Sequence, residues 1–131
     1  MRDYQVKKNN RYALPRTLYR RVVHLVKDYD RLKDDYHDLL NSTPPALSET
    51  SSLKGSYISN PTERKALRLS LMGKDLEAVE QALILIPDEY RESIFDHIKY
   101  STPYPDYAGI STYKRWKQLF LYHVAENLGL I

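Results

Sequence analysis

The residues best placed to do chemistry lie in Ile110-Ser111-Thr112-Tyr113-Lys114-Arg115-Trp116-Lys117-Gln118-Leu119-Phe120. Ser111 or Thr112 is expected to cap a helix there, and Lys114, Arg115 and Lys117 crowd its first two turns. Such a helix packs one face and offers a cationic one to a polyanion. An α-helix fits the major groove of DNA, with its N-terminal part at the base edges. Arg115 carries the fork that reads guanine, and Gln118 the amide that reads adenine. Ser111 and Thr112, with the first backbone amides, suit a phosphate. The plainer alternative is an amphipathic helix with a solvated basic face. Trp116 reads as packing, since a large indole on such a helix anchors it to a core.

Other chemistries lack material. His24, His37, His97 and His123 are scattered and match no metal-ligand or catalytic spacing. Asp34, Asp35, His37 and Asp38 are near neighbours that do not share one helix face. With no cysteine there is no thiolate ligand, nucleophile or disulfide, and the four glycines form no phosphate or dinucleotide loop. No enzyme, metal site or cofactor is expected. The apolar run Ala82 to Ile86 is far too short to cross a membrane, and Met1-Arg2-Asp3-Tyr4 lacks a signal-peptide core. An intracellular protein without a membrane partner is expected.

The 131 residues suit one compact domain, or a small domain with an extended helix. The net charge of +3 is unevenly spread. Up to Lys27, eight cations (Arg2, Lys7, Lys8, Arg11, Arg16, Arg20, Arg21, Lys27) face only Asp3. From Asp28 to Asp38, five aspartates face Arg31 and Lys33. Arg16, Arg20 and Arg21 are candidates for phosphate contact.

Nearly every periodic stretch reads as helix. After Pro15, apolar residues recur at Leu18, Val22, Leu25, Tyr29, Leu32, Tyr36 and Leu39, alternating four and three apart. This is a heptad seam on a helix from Arg16 to Asn41, roughly 39 Å long. It suits pairing with a second copy, giving a homodimer, or with another helix of the same chain. Pro44 and Pro45 end the helix, and the Ser/Thr/Pro-rich stretch 42–59 reads as a polar linker. Asn60 caps a new helix opened by Pro61, with Leu67, Leu71, Leu76, Val79, Leu83 and Ile86 inward and Met72-Gly73 a possible bend. Pro87 breaks it, and Asp88 and Glu89 open the next helix, which turns Tyr90, Ile94, Ile98 and Phe95 inward. The Pro103 and Pro105 stretch is a loop. The last helix turns Tyr113, Trp116, Phe120, Val124 and Leu128 inward and ends at Gly129. The expected fold is all-α: a basic segment and long helix over 1–41, a linker over 42–59 and a helical region over 60–131.

Two stretches carry a family likeness: Leu85-Ile86-Pro87-Asp88-Glu89-Tyr90-Arg91-Glu92-Ser93-Ile94 and Gly109-Ile110-Ser111-Thr112-Tyr113-Lys114-Arg115-Trp116. With the ending Ala125-Glu126-Asn127-Leu128-Gly129, they resemble the DNA-binding part of phage transcriptional regulators of the RinA and ArpU type, itself similar to sigma-factor region 4. The resemblance implies a helix-turn-helix over 60–131 and a phage or prophage regulator in the bacterial cytoplasm. It also implies sequence-specific binding of double-stranded DNA and contact with RNA polymerase. In that reading Lys114, Arg115, Lys117 and Gln118 enter the major groove and the seam joins two protomers. Two rivals stand beside it: a small terminase-like DNA-packaging subunit, and a helical protein–protein adaptor that does not bind DNA. The stretch 101–110, with two prolines, departs from the usual turn of about 3–4 residues.

Overall fold

The computed structural model describes residues 10–42 and 61–131. The expected linker beyond Ser42, the cap at Asn60 and the cations ahead of Asn10 lie outside the described residues. Those described are all-helical, with five helices and no strand: α1 (Arg16–Lys27), α2 (Tyr29–Asn41), α3 (Pro61–Ile84), α4 (Asp88–Tyr100) and α5 (Ile110–Asn127). None of these helices is long and apolar enough to cross a membrane.

The single helix expected from Arg16 to Asn41 is two helices that meet at Asp28. Asp28 has φ −92° and ψ 2°, outside the helical basin, yet its N–H still reaches the His24 carbonyl at 3.0 Å. An aspartate competes for local hydrogen bonds and so tolerates this joint better than an apolar residue would. Arg31 binds both Asp28 carboxylate oxygens and reaches Asp35 at 2.7 Å, bracing the restart on its solvent side.

The seam packs within the protein, correcting its reading as a dimer contact. Val22 is fully buried, Tyr29 is 7% exposed, and Leu18, Leu25, Leu32 and Tyr36 pack against the core; Leu39 is half-buried. The α1 half meets α4 and α5, and the α2 half meets α3. Tyr29 donates to Glu80 (2.5 Å), a Cβ on Gly73 would touch the Tyr36 ring, and Lys65 donates to the Ser42 carbonyl (2.8 Å). As α2 rises from 29 to 42, its partners on α3 fall from 80 to 65, so the two helices run antiparallel.

Further along, α3 is one helix through Met72 and Gly73. Leu76, Val79, Ala82 and, beyond its end, Ile86 are buried, whereas Leu67 and Leu71 remain more than half exposed. Arg91 sits over the C-terminus of α3 and donates to the carbonyls of Leu83, Ile84 and Ile86. A cation there satisfies carbonyls that the helix leaves open. Pro87 takes the cap position of α4, whose first turn holds Asp88 and Glu89 as expected, and α4 contributes Ile94 and Ile98 to the core.

Central to the core is α5: Tyr113, Phe120, Leu121, Val124 and Ala125 are all fully buried. Trp116 and Leu128 are half-buried against them. Its C-terminus closes as a Schellman turn. Gly129 has φ +74°, its N–H meets the Glu126 carbonyl, and the Leu130 N–H meets the Ala125 carbonyl at 3.0 Å.

Gly73 tests the α2–α3 contact. A glycine inside a helix costs about 1 kcal/mol against alanine, and an added Cβ would stand 3.4 Å from Tyr36 Cε1, an ordinary contact. Gly73→Ala should therefore raise stability by up to about 1 kcal/mol. Gly73→Leu, which must displace the ring, should lower it by about 1–3 kcal/mol. Urea midpoints at unchanged slope measure both.

Candidate nucleic-acid interface

On α1 the residues Tyr19, Val22, Val23 and Val26 face inward. At about 100° per residue, Arg16, Arg20 and Lys27 then fall on one outward stripe, with His24 at its edge, and all four are exposed. A shallow hollow of about 170 Å³, lined by Tyr19, Arg20, Val23, His24 and Lys27, runs along it. Among the described residues no carboxylate lies within ion-pair distance of Arg16, Arg20 or Lys27. The first turn of α1 holds no acid, so the positive end of its dipole adds to Arg16. Arg21 is exposed on the far side of this helix, in a groove with Asp75 and Lys74. There burial raises the Asp75 carboxyl pKa above the usual range while Arg21 opposes the shift.

Three of the five aspartates that follow this basic run, Asp28, Asp30 and Asp35, are engaged elsewhere. Asp30 accepts from Tyr100 and from Lys99 (3.2 Å), and these partners hold its pKa below the usual carboxylate range. Lys99 is itself covered, with its ammonium 4.0 Å from the Phe95 ring centre. Hydrogen bonding to Arg31 likewise lowers the Asp28 pKa. Asp30 thus ties α2 to α4, Asp28 and Asp35 pair with Arg31, and among the described residues no ion pair joins this run to the α1 stripe.

The start of α5 is held by an aromatic stack. Tyr104 lies between His97 (3.9 Å) and Tyr113 (4.6 Å), Tyr90 meets Tyr113 edge-on and Trp116 at 6.3 Å, and Tyr107 donates to Glu89. His97 Nδ1 also pairs with the Thr102 carbonyl. These contacts order the two-proline loop, and the tyrosines within it serve packing. The Tyr113 hydroxyl is buried without a hydrogen-bond partner among the described residues.

The structure separates the predicted groove residues. Gly109, not Ser111 or Thr112, occupies the cap position, with no side-chain cap bond. Ser111, Lys114 and Arg115 are exposed, Thr112 is half-buried, and Lys117 is half-buried on the core side. Gln118 is 9% exposed and donates to the Tyr12 carbonyl at 2.6 Å, so it does not face outward to read a base. At about 100° per residue, positions 114, 115, 117 and 118 fall within an arc of roughly 160°, so burial and not helical spacing separates them. Sequence reasoning did not single out Lys27 or the contact between Tyr12 and α5. The spacing Arg16, Arg20, Lys27 was the legible signal for the former; a contact spanning 106 positions left none for the latter. Among the described residues no three His, Asp or Glu side chains could hold a metal ion.

Compared with protein-family models, curated proteins and solved structures, the chain matches none.

Two substitutions test this framework. Tyr113→Phe removes a buried hydroxyl without a partner, so stability should stay level or rise by about 1 kcal/mol in thermal melts. Asp30→Asn should cost about 0.5 kcal/mol at neutral pH, a small value because half of the side chain remains in water. The folded pKa of Asp30 is lowered, so its stabilisation is present above its unfolded value, about 3.9. It disappears as pH falls through the folded value. Wild type and variant should therefore converge in acid; a gap that persists at low pH would contradict the assignment.

Proposed function

We propose that the protein binds double-stranded DNA without catalysing a reaction, as a transcriptional regulator of phage or prophage type. The observation that carries this reading is the α1 stripe of Arg16, Arg20 and Lys27, exposed and without acidic partners among the described residues. Three cations at such spacing follow a phosphate backbone and release counterions on contact. The exposed start of α5, with Ser111, Lys114 and Arg115, enters the major groove end-on, and its first amides meet a phosphate. Lys117 and Gln118 take no part in base reading. Sequence specificity, the regulatory role and contact with RNA polymerase rest on the resemblance of 85–94 and 109–129 to the RinA and ArpU regulators. A homodimer on two half-sites would need a contact other than the Leu18–Leu39 seam.

A second reading, a helical adaptor that binds protein, is favoured by Leu67 and Leu71, exposed one turn apart on α3. A salt series on a labelled mixed-sequence duplex separates the two. The affinity of a DNA binder falls with log slope of about −0.9 per phosphate neutralised. Arg16→Ala, Arg20→Ala and Lys27→Ala combined should flatten that slope by roughly three with helicity retained. Absence of binding at low salt by folded protein would overturn the DNA reading, and an unchanged slope would move the contact off α1.

A further inference from the structure

We infer that the turn Asn10–Ala13 forms part of the same polyanion-binding surface, with Arg11 as its contacting cation and Gln118 as the positioning residue that holds it there. This rests on the DNA-binding reading above and extends it to a segment far from α5 in sequence.

The turn is pinned from several sides. The Tyr12 N–H meets Asn10 Oδ1 at 3.0 Å, and the Ala13 N–H meets the Asn10 carbonyl at 3.2 Å. The Tyr12 carbonyl accepts from Gln118 Nε2 at 2.6 Å. The Tyr12 ring stands edge-on to Tyr122 with centroids 5.1 Å apart, and Leu14 is 3% exposed. A surface segment ahead of a first helix is not usually held by backbone, side chain and ring at once.

What the pinning presents is a guanidinium. Arg11 is exposed, and its Cζ lies 5.3 Å from the centre of the Tyr12 ring. A guanidinium over a ring keeps its N–H edges turned outward, the geometry that forks onto a phosphate. Positions 115, 118 and 122 of α5 share one helix face, and Tyr12 sits on 118 and 122. Arg11 and the exposed Arg115 therefore lie along one side of α5. Neither has an ion-pair partner among the described residues. Glu126, the acid further along that side, is met by His123 at 3.0 Å. The buried Gln118 amide thus acts on the polyanion through Tyr12, without touching it.

The test is a salt series on the labelled duplex with full-length variants whose helicity and melting are read first. Arg11→Ala should flatten the log–log slope by about 0.9, and Arg11→Glu by more, since it adds repulsion. Gln118→Ala should lower affinity and flatten the slope as Arg11→Ala does. The double variant should add little to either, because one acts through the other. Arg11 is exposed, so its variants carry the test even where Gln118→Ala fails to fold. Slopes unchanged in Arg11→Ala and Arg11→Glu, alongside a flattened slope in the α1 triple variant, would overturn this inference and leave the DNA reading intact. An effect of Arg11 with additive loss in the double variant would overturn the role of Gln118. A wild type that fails to bind at low salt would overturn both readings together.

Discussion

The fold turns on Tyr29, the first residue after the joint between α1 and α2. Its ring is buried edge-on against Phe95 of α4, and its hydroxyl donates to Glu80 of α3. One side chain thereby ties three helices, and burial with a nearby carboxylate raises its phenol pKa well above the ordinary value. A buried hydroxyl without a partner would cost a large fraction of a small domain's stability. The Glu80 contact meets that requirement and also sets the register of α2 on α3. Given that register, Gly73 must stand opposite Tyr36, and Asp30 must come within reach of Lys99 and Tyr100.

The seam shows what periodicity specifies and what it leaves open. Apolar residues four and three apart dictate a helix with one apolar stripe. They do not say which surface covers the stripe. Tyr29 and Tyr36 are the informative members, because a phenol in a seam asks for a polar acceptor or for a small residue opposite. Glu80 and Gly73 supply those within the same chain. Two tyrosines in a heptad pattern were therefore a signal for an internal partner, although nothing local identified α3. The joint at Asp28 was hidden for a similar reason: aspartate lowers helix propensity only slightly, and the two parts differ in their partners, α1 meeting α4 and α5 while α2 meets α3.

For the candidate interface, charge was legible as composition and only partly as geometry. The excess of cations up to Lys27 reads directly from the sequence, as do the aspartates that follow. That Asp28 and Asp35 pair with Arg31, and Asp30 with Lys99 and Tyr100, follows from the fold. Exposed ion pairs contribute little to stability, so the greater consequence is electrostatic. Asp30 held against α4, and Asp28 and Asp35 held by Arg31, do not pair with the cations of the α1 stripe. On α5 the opposite happened. Four polar residues close together looked like one exposed face, and a helix of 3.6 residues per turn does hold positions 114, 115, 117 and 118 within roughly 160°, but packing covers Gln118 and half-covers Lys117 inside that arc. Its apolar residues indicated the inward side correctly at Tyr113, Phe120 and Val124. The same geometry places Lys117 toward the core side and Gln118 well off the stripe; Gln118 is buried where the Tyr12 segment meets it.

Gln118 is the residue whose meaning changes most between sequence and structure. A glutamine beside lysines and arginine suggests base recognition, yet a side-chain amide buried at 9% exposure must first satisfy its own hydrogen bonds. A backbone carbonyl from a passing segment does this without a second buried polar side chain, and the Tyr12 carbonyl is such a group. A core helix that carries a polar residue at its edge thus fixes a segment with no secondary structure of its own. Leucine at 118 would cover comparable area and leave that carbonyl without its donor. The amide places the backbone of the turn, and the arginine beside Tyr12 gains a defined position from a contact made by its neighbour. In this protein the side chains that organise charge are largely uncharged: Tyr12, Tyr29, Tyr100 and Gln118 decide where the arginines, lysines and aspartates come to rest.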